Sequence, residues 1–267
     1  ESNPDILYEI ANIQVKKGQL AEARESLGRA LAADPGHARS RYLLAGVLAA
    51  TGDRARAVRE YERVTKDDPQ NQEAYLHLAT LYAEQKQPVK AEEVLTALVE
   101  KNPDSHLGFY YRGRIRATQR KFEPALADFD KAVSIAPSFD AALLDSGAVL
   151  EILGRSAEAE ERYRRALQLS PNNLFLHERL GRLLVREKKI DQAVGQYEEL
   201  KKFSPSSTDV RSKLGLLYLE RDQYDAAINE FTFVLKEEPG NHQVRFFLGT
   251  AYEEKGAAAE AMECIGG

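Results

Sequence analysis

Apolar residues recur at helical spacing along the chain, in short stripes that start and stop in step. Leu143, Gly147 and Leu150 form one stripe; after Gly154, Ala159, Tyr163, Ala166 and Leu167 form another. Intervals of three and four place each stripe on one face of a helix. The pattern returns every 34 residues, because Pro35, Pro69, Pro103, Pro137, Pro171, Pro205 and Pro239 stand at that step and make up seven of the ten prolines. With these prolines at column 32, the repeating units begin at Pro4, Ala38, Gln72, His106, Asp140, Leu174, Thr208 and His242. Column 8 is then Ala11, Ala45, Ala79, Gly113, Gly147, Gly181, Gly215 and Gly249, and column 20 is Ala in every unit, from Ala23 to Ala261. Column 24 is large and apolar in each complete unit: Leu27, Tyr61, Leu95, Phe129, Tyr163, Tyr197 and Phe231.

Each unit is predicted to be two helices of about 13 residues with a break near columns 15 to 18. Gly18, Gly52, Gly154 and Gly256 stand at that break, where glycine takes the left-handed conformation that ends a helix. Pro88 and Pro124 fall near the start of a second helix, where a missing N–H does little harm. No run of alternating β-branched residues predicts a strand. Two helices approach closely only where neither carries bulk, which accounts for columns 8 and 20, and column 24 fills the space beside them. Helices this short are marginal alone in water, so each pair must bury its outer stripe against the next. The expected fold is all-α: an α-α superhelix, or α-solenoid, of stacked antiparallel helix pairs. Residues 1–267 are expected to form a single array, first helices on the inner wall and second helices on the outer.

Composition agrees with many thin interfaces rather than one thick core, at 30% charged and 8% aromatic residues with no Trp and one Met. The longest apolar run without charge, Tyr42 to Gly52, is far short of the roughly 20 residues that cross a bilayer, so direct membrane insertion is not expected. A net charge of −5 supplies no global field to draw the chain to nucleic acid. Formal charge alternates by unit, positive in the second, fourth and sixth and negative in the third, fifth and seventh, which favours cohesion between neighbours over one long polyanion track. The single cysteine, Cys264, excludes an internal disulfide framework and is read as an incidental thiol. The chain starts at Glu1 and stops within its eighth unit, so it reads as a piece of a longer protein, with end-to-end self-association through the uncapped last repeat as an expectation. Cytoplasm and bacterial periplasm or cell envelope both remain open as locations.

These columns resemble the tetratricopeptide repeat, whose unit carries a small residue at position 8, Ala at 20, an aromatic at 24 and Pro at 32. The resemblance covers seven full units and a shortened eighth. It departs at column 4, often Trp in the family but Arg41, His177, Arg211 and Arg245 here; tight packing is not expected at these four, and long arginine stems would cover the gap. The resemblance implies a concave groove touched by columns 2, 5, 6, 9, 12 and 13 of the first helices. That wall comprises Tyr8, Asn12, Tyr42, Gly46, Leu76, His77, Tyr110, Tyr111, Arg114, Leu144 and Asp145, then Phe175, Arg179, Arg182, Arg186, Lys213, Leu216, Phe246 and Phe247. Aromatics beside arginines are common interface anchors. An equally open alternative is that Arg114, Asp145 and Arg179 only form salt bridges along the groove, and that Tyr110 and Tyr111 only cover neighbouring helices. Some family members clamp a chaperone's C-terminal carboxylate through five residues; Tyr8, Asn12, Leu43, Glu73 and His77 at those places keep one of the five, so that role is not expected.

Catalytic and metal chemistry find no foothold. The histidines, His37, His77, His106, His177 and His242, are too far apart for a zinc motif, and His106 and His242, at column 1, are expected at the surface. No phosphate-binding glycine loop, nucleophile elbow or dinucleotide fingerprint is present. Adjacent carboxylates such as Glu198 and Glu199 diverge on a helix and are expected to be solvated. The reading is a noncatalytic scaffold that binds a protein or peptide and carries no cofactor. Two alternatives stand beside it: the targeting arm of a larger enzyme, and a bacterial cell-envelope scaffold for polymer export. The arginine bias and regular units resemble bacterial members.

Overall fold

The computed structural model describes residues 3–266, with side chains through Met262. Every described element is an α-helix, and the helices alternate as the 34-residue period predicts. The first helices are α1 (Pro4–Lys16), α3 (Ala38–Ala50), α5 (Gln72–Glu84), α7 (His106–Thr118), α9 (Asp140–Ile152), α11 (Leu174–Arg186), α13 (Thr208–Glu220) and α15 (His242–Lys255). The second helices are α2 (Leu20–Ala33), α4 (Arg54–Asp67), α6 (Pro88–Lys101), α8 (Phe122–Ile135), α10 (Ser156–Leu169), α12 (Ile190–Phe203), α14 (Tyr224–Glu237) and α16 (Ala258–Gly266). The chain divides into two compact units, Glu1–Val149 and Leu150–Gly267. Within each, helices pack against their sequence neighbours and first helices also touch one another, as α5 touches α7 and α13 touches α15. Each unit is therefore an all-α solenoid of stacked helix pairs.

Local chemistry sets the helix ends. Column 34 supplies an N-cap for most first helices: the side chains of Asn71, Ser105, Asn173, Ser207 and Asn241 accept from the third backbone N–H of the helix that follows. First helices end on a left-handed residue at column 15. Four units place Gly18, Gly52, Gly154 and Gly256 there, and the other four place Lys86, Arg120, Lys188 and Asp222 at φ of 56 to 61°. A side chain in that conformation costs about 1–2 kcal/mol, offset partly by the entropy glycine loses on folding. Lys86→Gly and Lys188→Gly are each expected to stabilise the protein by about 0.5–1 kcal/mol in urea denaturation.

Packing follows the columns. A Cβ added at Gly113 would stand 2.8 Å from the Phe129 ring, and one at Gly181 would stand 3.0 Å from the Tyr197 ring. Column 8 is small because the column-24 aromatic of the same hairpin lies on it. Columns 3, 7 and 10 face the preceding second helix and are buried, as in Ala74, Leu78 and Leu81, in Leu176, Leu180 and Leu183, and in Val210, Leu214 and Leu217. At Gly108, column 3 of α7, an added Cβ would meet Leu98 and Val99, columns 27 and 28 of α6.

Column 4 corrects an expectation. Its polar residues are tied in place: Arg41 and Arg211 each donate to a carboxylate and to a backbone carbonyl, His177 is held at both ring nitrogens, and Arg245 donates to a backbone carbonyl. Arg41, 6% exposed, binds the Glu60 carboxylate at 2.8 Å and the Pro35 carbonyl. His177 lies between Gln196, 2.9 Å away, and the Pro171 carbonyl, 2.8 Å away. Arg211 donates to Glu230 at 2.6 Å and to the Pro205 carbonyl at 2.7 Å, and Arg245 donates to the Pro239 carbonyl. The column-32 carbonyl is thus a repeated acceptor tying one unit to the next. Glu198, expected to be solvated, is half-buried and accepts from Tyr218 at 2.5 Å and Lys201 at 2.7 Å. His106 is half-buried, its ring edge-on to Phe139 at 5.2 Å, and His242 is exposed.

A buried ionic network replaces part of the apolar interface between α6, α7 and α8. Asp128 accepts from Arg112 Nε at 3.0 Å and Nη2 at 2.7 Å, and from Arg116 Nη1 at 3.0 Å. Arg116 continues to Glu92 at 2.9 Å, which also receives Lys121 at 2.7 Å and Gln119 at 2.9 Å. Burial alone would raise the Glu92 carboxyl; the donated bonds from Lys121, Arg116 and Gln119 outweigh it and hold it down at about 2.

Candidate functional site

In the first compact unit, most of the expected face residues are held by one another. Tyr8 lies edge-on to His37 at 6.1 Å and under the Arg39 guanidinium at 4.2 Å, with Arg39 tied to Glu9 at 3.3 Å. Tyr42 donates to Glu73 at 3.0 Å, packs on Tyr61 at 5.8 Å, and borders His77, which stacks on Tyr61 at 5.5 Å. Burial first, then Glu73, raises the Tyr42 phenol, and burial with Glu73 pushes Tyr61 up to about 12, so both stay protonated donors. Asn12 is half-buried on α1.

Tyr110 is only 9% exposed, covered by Tyr111, Phe129 and Phe139 at 5.3, 6.0 and 4.8 Å. Burial, with Asp145 adding to it, pushes its phenol up to about 12. Arg114 lies 5.6 Å from the Tyr110 ring and 3.5 Å from Asp145, as the salt-bridge alternative expects. Leu144 and Asp145 are half-buried. The accessible feature here is a hollow of about 260 Å³ between α5 and α7, lined by Leu76, Ala79, Thr80, Ala83, Tyr111, Arg114, Ile115 and Thr118, with Leu95 beneath.

The second compact unit repeats that hollow on a larger scale. Between α11 and α13 is a pocket of about 500 Å³ lined by Arg182, Val185, Arg186, Lys213, Leu216, Leu217 and Glu220, with Tyr197 as its floor. The lining uses the same columns as the smaller hollow: 9 and 12 of one first helix, 24 of its second helix, and 6, 9, 10 and 13 of the next first helix. Val185 and Leu216 are more than a third exposed and give the pocket an apolar rim. Its three cations differ. Arg186 is tied to Glu151 at 3.0 Å, and Lys213 to Asp209 at 2.6 Å. Arg182 is exposed and makes no ion pair among the described residues. Burial, with Glu178 adding to it, pushes the Tyr197 phenol up to about 12, leaving a neutral aromatic floor.

Beside the pocket, Glu151 accepts from the buried Tyr163 hydroxyl at 2.5 Å and lies 3.9 Å from Arg179. Arg179 also lies 5.2 Å from the ring of Phe175, which is half exposed. A second hollow of about 310 Å³, more polar, runs from Leu216 to Phe247 on α15. Phe247 stacks on Phe231 at 6.0 Å, while Phe246 turns outward and is 61% exposed.

The structure therefore gathers Arg182, Arg186 and Lys213 around one pocket, and leaves Tyr8, Tyr42, Leu76, His77, Tyr110 and Tyr111 on the other compact unit. Val185, Tyr197, Leu217 and Glu220 were missed from sequence. Val185 and Glu220 sit at columns 12 and 13 and were reachable by the same rule, whereas columns 10 and 24 face the core elsewhere and carry no such signal. Among the described residues, no three His, Cys, Asp or Glu side chains converge as metal ligands, and no helix is long and apolar enough to cross a membrane. The side chain of Cys264 lies outside the described residues.

A stack of helix pairs with an accessible first-helix face defines an α-helical repeat protein of the interaction-scaffold class. This chain belongs to the tetratricopeptide repeat family, which matches residues 14–69, 48–108, 87–141, 107–173, 153–208 and 212–263. It is 27% identical over 193 residues to the human protein O-mannosyl-transferase TMTC1, a match covering 70% of this chain and 22% of that protein. The chain thus spans about a fifth of that relative's length. In fold it is similar to the C-terminal part of a repeat protein from Cytophaga hutchinsonii, with TM-score 0.75 and 14% identity, covering 90% of this chain and 99% of the other. It is also similar to YrrB, described as a TPR protein with an unusual peptide-binding site, with TM-score 0.58 and 23% identity, covering 66% of this chain and 90% of that one.

Proposed function

We propose that this chain is a noncatalytic scaffold that binds a protein or peptide segment on its first-helix face, with the α11–α13 pocket as the main anchor point. The observation that carries this reading is Arg182, an unpaired exposed cation at the mouth of a pocket with an apolar rim and an aromatic floor. An apolar side chain fits the rim of Val185 and Leu216, and a carboxylate on the same segment meets Arg182 without breaking an existing ion pair. The peptide binding described for YrrB supports the same use of the fold. The favoured segment is acidic, with one large apolar residue.

Screening the chain against an immobilised array of short peptides tests this. Acidic peptides with a Leu or Phe are expected to be selected, and Arg182→Glu is expected to weaken them about ten-fold or more with an unchanged melting curve, because Arg182 is exposed and makes no ion pair among the described residues. Selection of peptides indifferent to Arg182→Glu would refute the placement. A second reading, the accessory arm of a larger enzyme, is favoured by the similarity to part of an O-mannosyl-transferase; in it the same face would hold that enzyme's protein substrate.

A further inference from the structure

The two hollows on the second compact unit offer opposite charges to a ligand. They adjoin, since Leu216 of α13 lines both the α11–α13 pocket and the hollow toward α15. In the second hollow, Leu216, Val244 and Phe247 supply the apolar wall and Glu238 a carboxylate. Glu238 is exposed and accepts from neutral donors, the Asn241 amide at 2.9 Å and the Thr208 side chain. It makes no ion pair among the described residues, whereas Asp209, which lines the same hollow, is tied to Lys213 at 2.6 Å. Ser212 and Gln243 complete the polar side, and their side chains have no hydrogen-bond partner among the described residues. Glu238 is thus the counterpart of Arg182, an ionised group that a ligand meets without breaking an ion pair.

Spacing then limits what spans both hollows. Packed helices stand about 8–10 Å apart, and α13 touches α15 directly, so the two hollows are about one such step apart. A polyproline II chain has about three residues per turn and rises about 3.1 Å per residue, so side chains three apart share a face about 9 Å apart. We propose that the segment anchored in the α11–α13 pocket carries a lysine or arginine about three residues from its apolar anchor, and that Glu238 receives this cation while Ser212 and Gln243 bond the segment's backbone. That role for Glu238 rests on the binding role proposed above for the pocket. It narrows the ligand from an acidic segment to one with a carboxylate on one side of the apolar anchor and a cation on the other.

The probe is a fluorescein-labelled peptide with the core Asp-Leu-Pro-Pro-Lys between Gly-Ser spacers, titrated into the full chain by anisotropy. Saturable binding is expected, and replacing the peptide's lysine with alanine should weaken it about three-fold or more. Glu238→Gln in the chain should weaken the lysine peptide by the same factor and leave the alanine peptide unchanged. The urea melt should stay in place, because the glutamine oxygen still accepts from Asn241. Glu238→Lys, paired with a glutamate at the peptide's lysine position, should restore binding. Dependence on Arg182→Glu without dependence on Glu238→Gln overturns the assignment of Glu238 and leaves the pocket standing. So does dependence on Glu220→Gln in its place, since Glu220 lines the neighbouring pocket. Indifference to Arg182→Glu, or a titration that does not saturate, removes the pocket reading and the role of Glu238 with it.

Discussion

Asp128→Ala is expected to destabilise the first compact unit by about 3 kcal/mol. Asp128 is nearly inaccessible and accepts three hydrogen bonds from two arginines, two of them a bidentate pair from Arg112. Removing the carboxylate leaves the Arg112 guanidinium mostly buried with no carboxylate partner. Arg116 fares better, because it keeps Glu92 at 2.9 Å, which holds the cost near the lower end for a broken buried pair. Replacing the whole group with matched apolar residues would be far milder, since the penalty lies in the charge left behind. The loss should also be local, because each repeat touches only its neighbours. Hydrogen exchange is the decisive measurement: amides of α7 and α8 should exchange faster while those of α13 and α14 keep their protection. Uniform loss of protection across both compact units would contradict nearest-neighbour stability.

Gly215→Ala is expected to cost about 2 kcal/mol, although alanine is the better helix former by about 1 kcal/mol. An added Cβ would stand 2.7 Å from Cζ and 2.8 Å from Cδ1 of the Phe231 ring, which is fully buried and has nowhere to swing. The array points to the compensating change. Units with Leu at column 24 carry Ala at column 8, as in the Ala11 and Leu27 pair and the Ala79 and Leu95 pair, all buried. Phe231→Leu alone leaves a cavity, and the double variant fills part of it with the new methyl. Urea denaturation of the two single variants and the double should therefore show a favourable coupling of about 1 kcal/mol or more. Strictly additive losses would show that column 8 does not respond to column 24.

Much of the fold was legible in the residues because a helix is a local structure and a repeat multiplies the signal. Four glycines at column 15 marked helix ends directly, and the period carried the same break to Lys86, Arg120, Lys188 and Asp222, which alone would not suggest a left-handed turn. Column 4 was misjudged from sequence. An arginine facing an interface reads as poor packing until its two acceptors are known, and Glu60 on α4 and the Pro35 carbonyl in the turn before α3 belong to different units. The face residues were legible as a set of columns but not as a site. Tyr110 and Phe246 both read as aromatic anchors, yet one is covered by three rings and the other is open.

From residue order alone came the 34-residue period, the helix pairs, their stacking in chain order and the small-against-large contact at their crossings, since all of these depend on spacing within a single unit. Tertiary structure decided which charges are free. Arg179 and Arg186 share Glu151 across a separation of 28 and 35 residues, while Arg182 between them makes no ion pair among the described residues. That partner lies on a neighbouring first helix, α9, so spacing within one unit cannot name it.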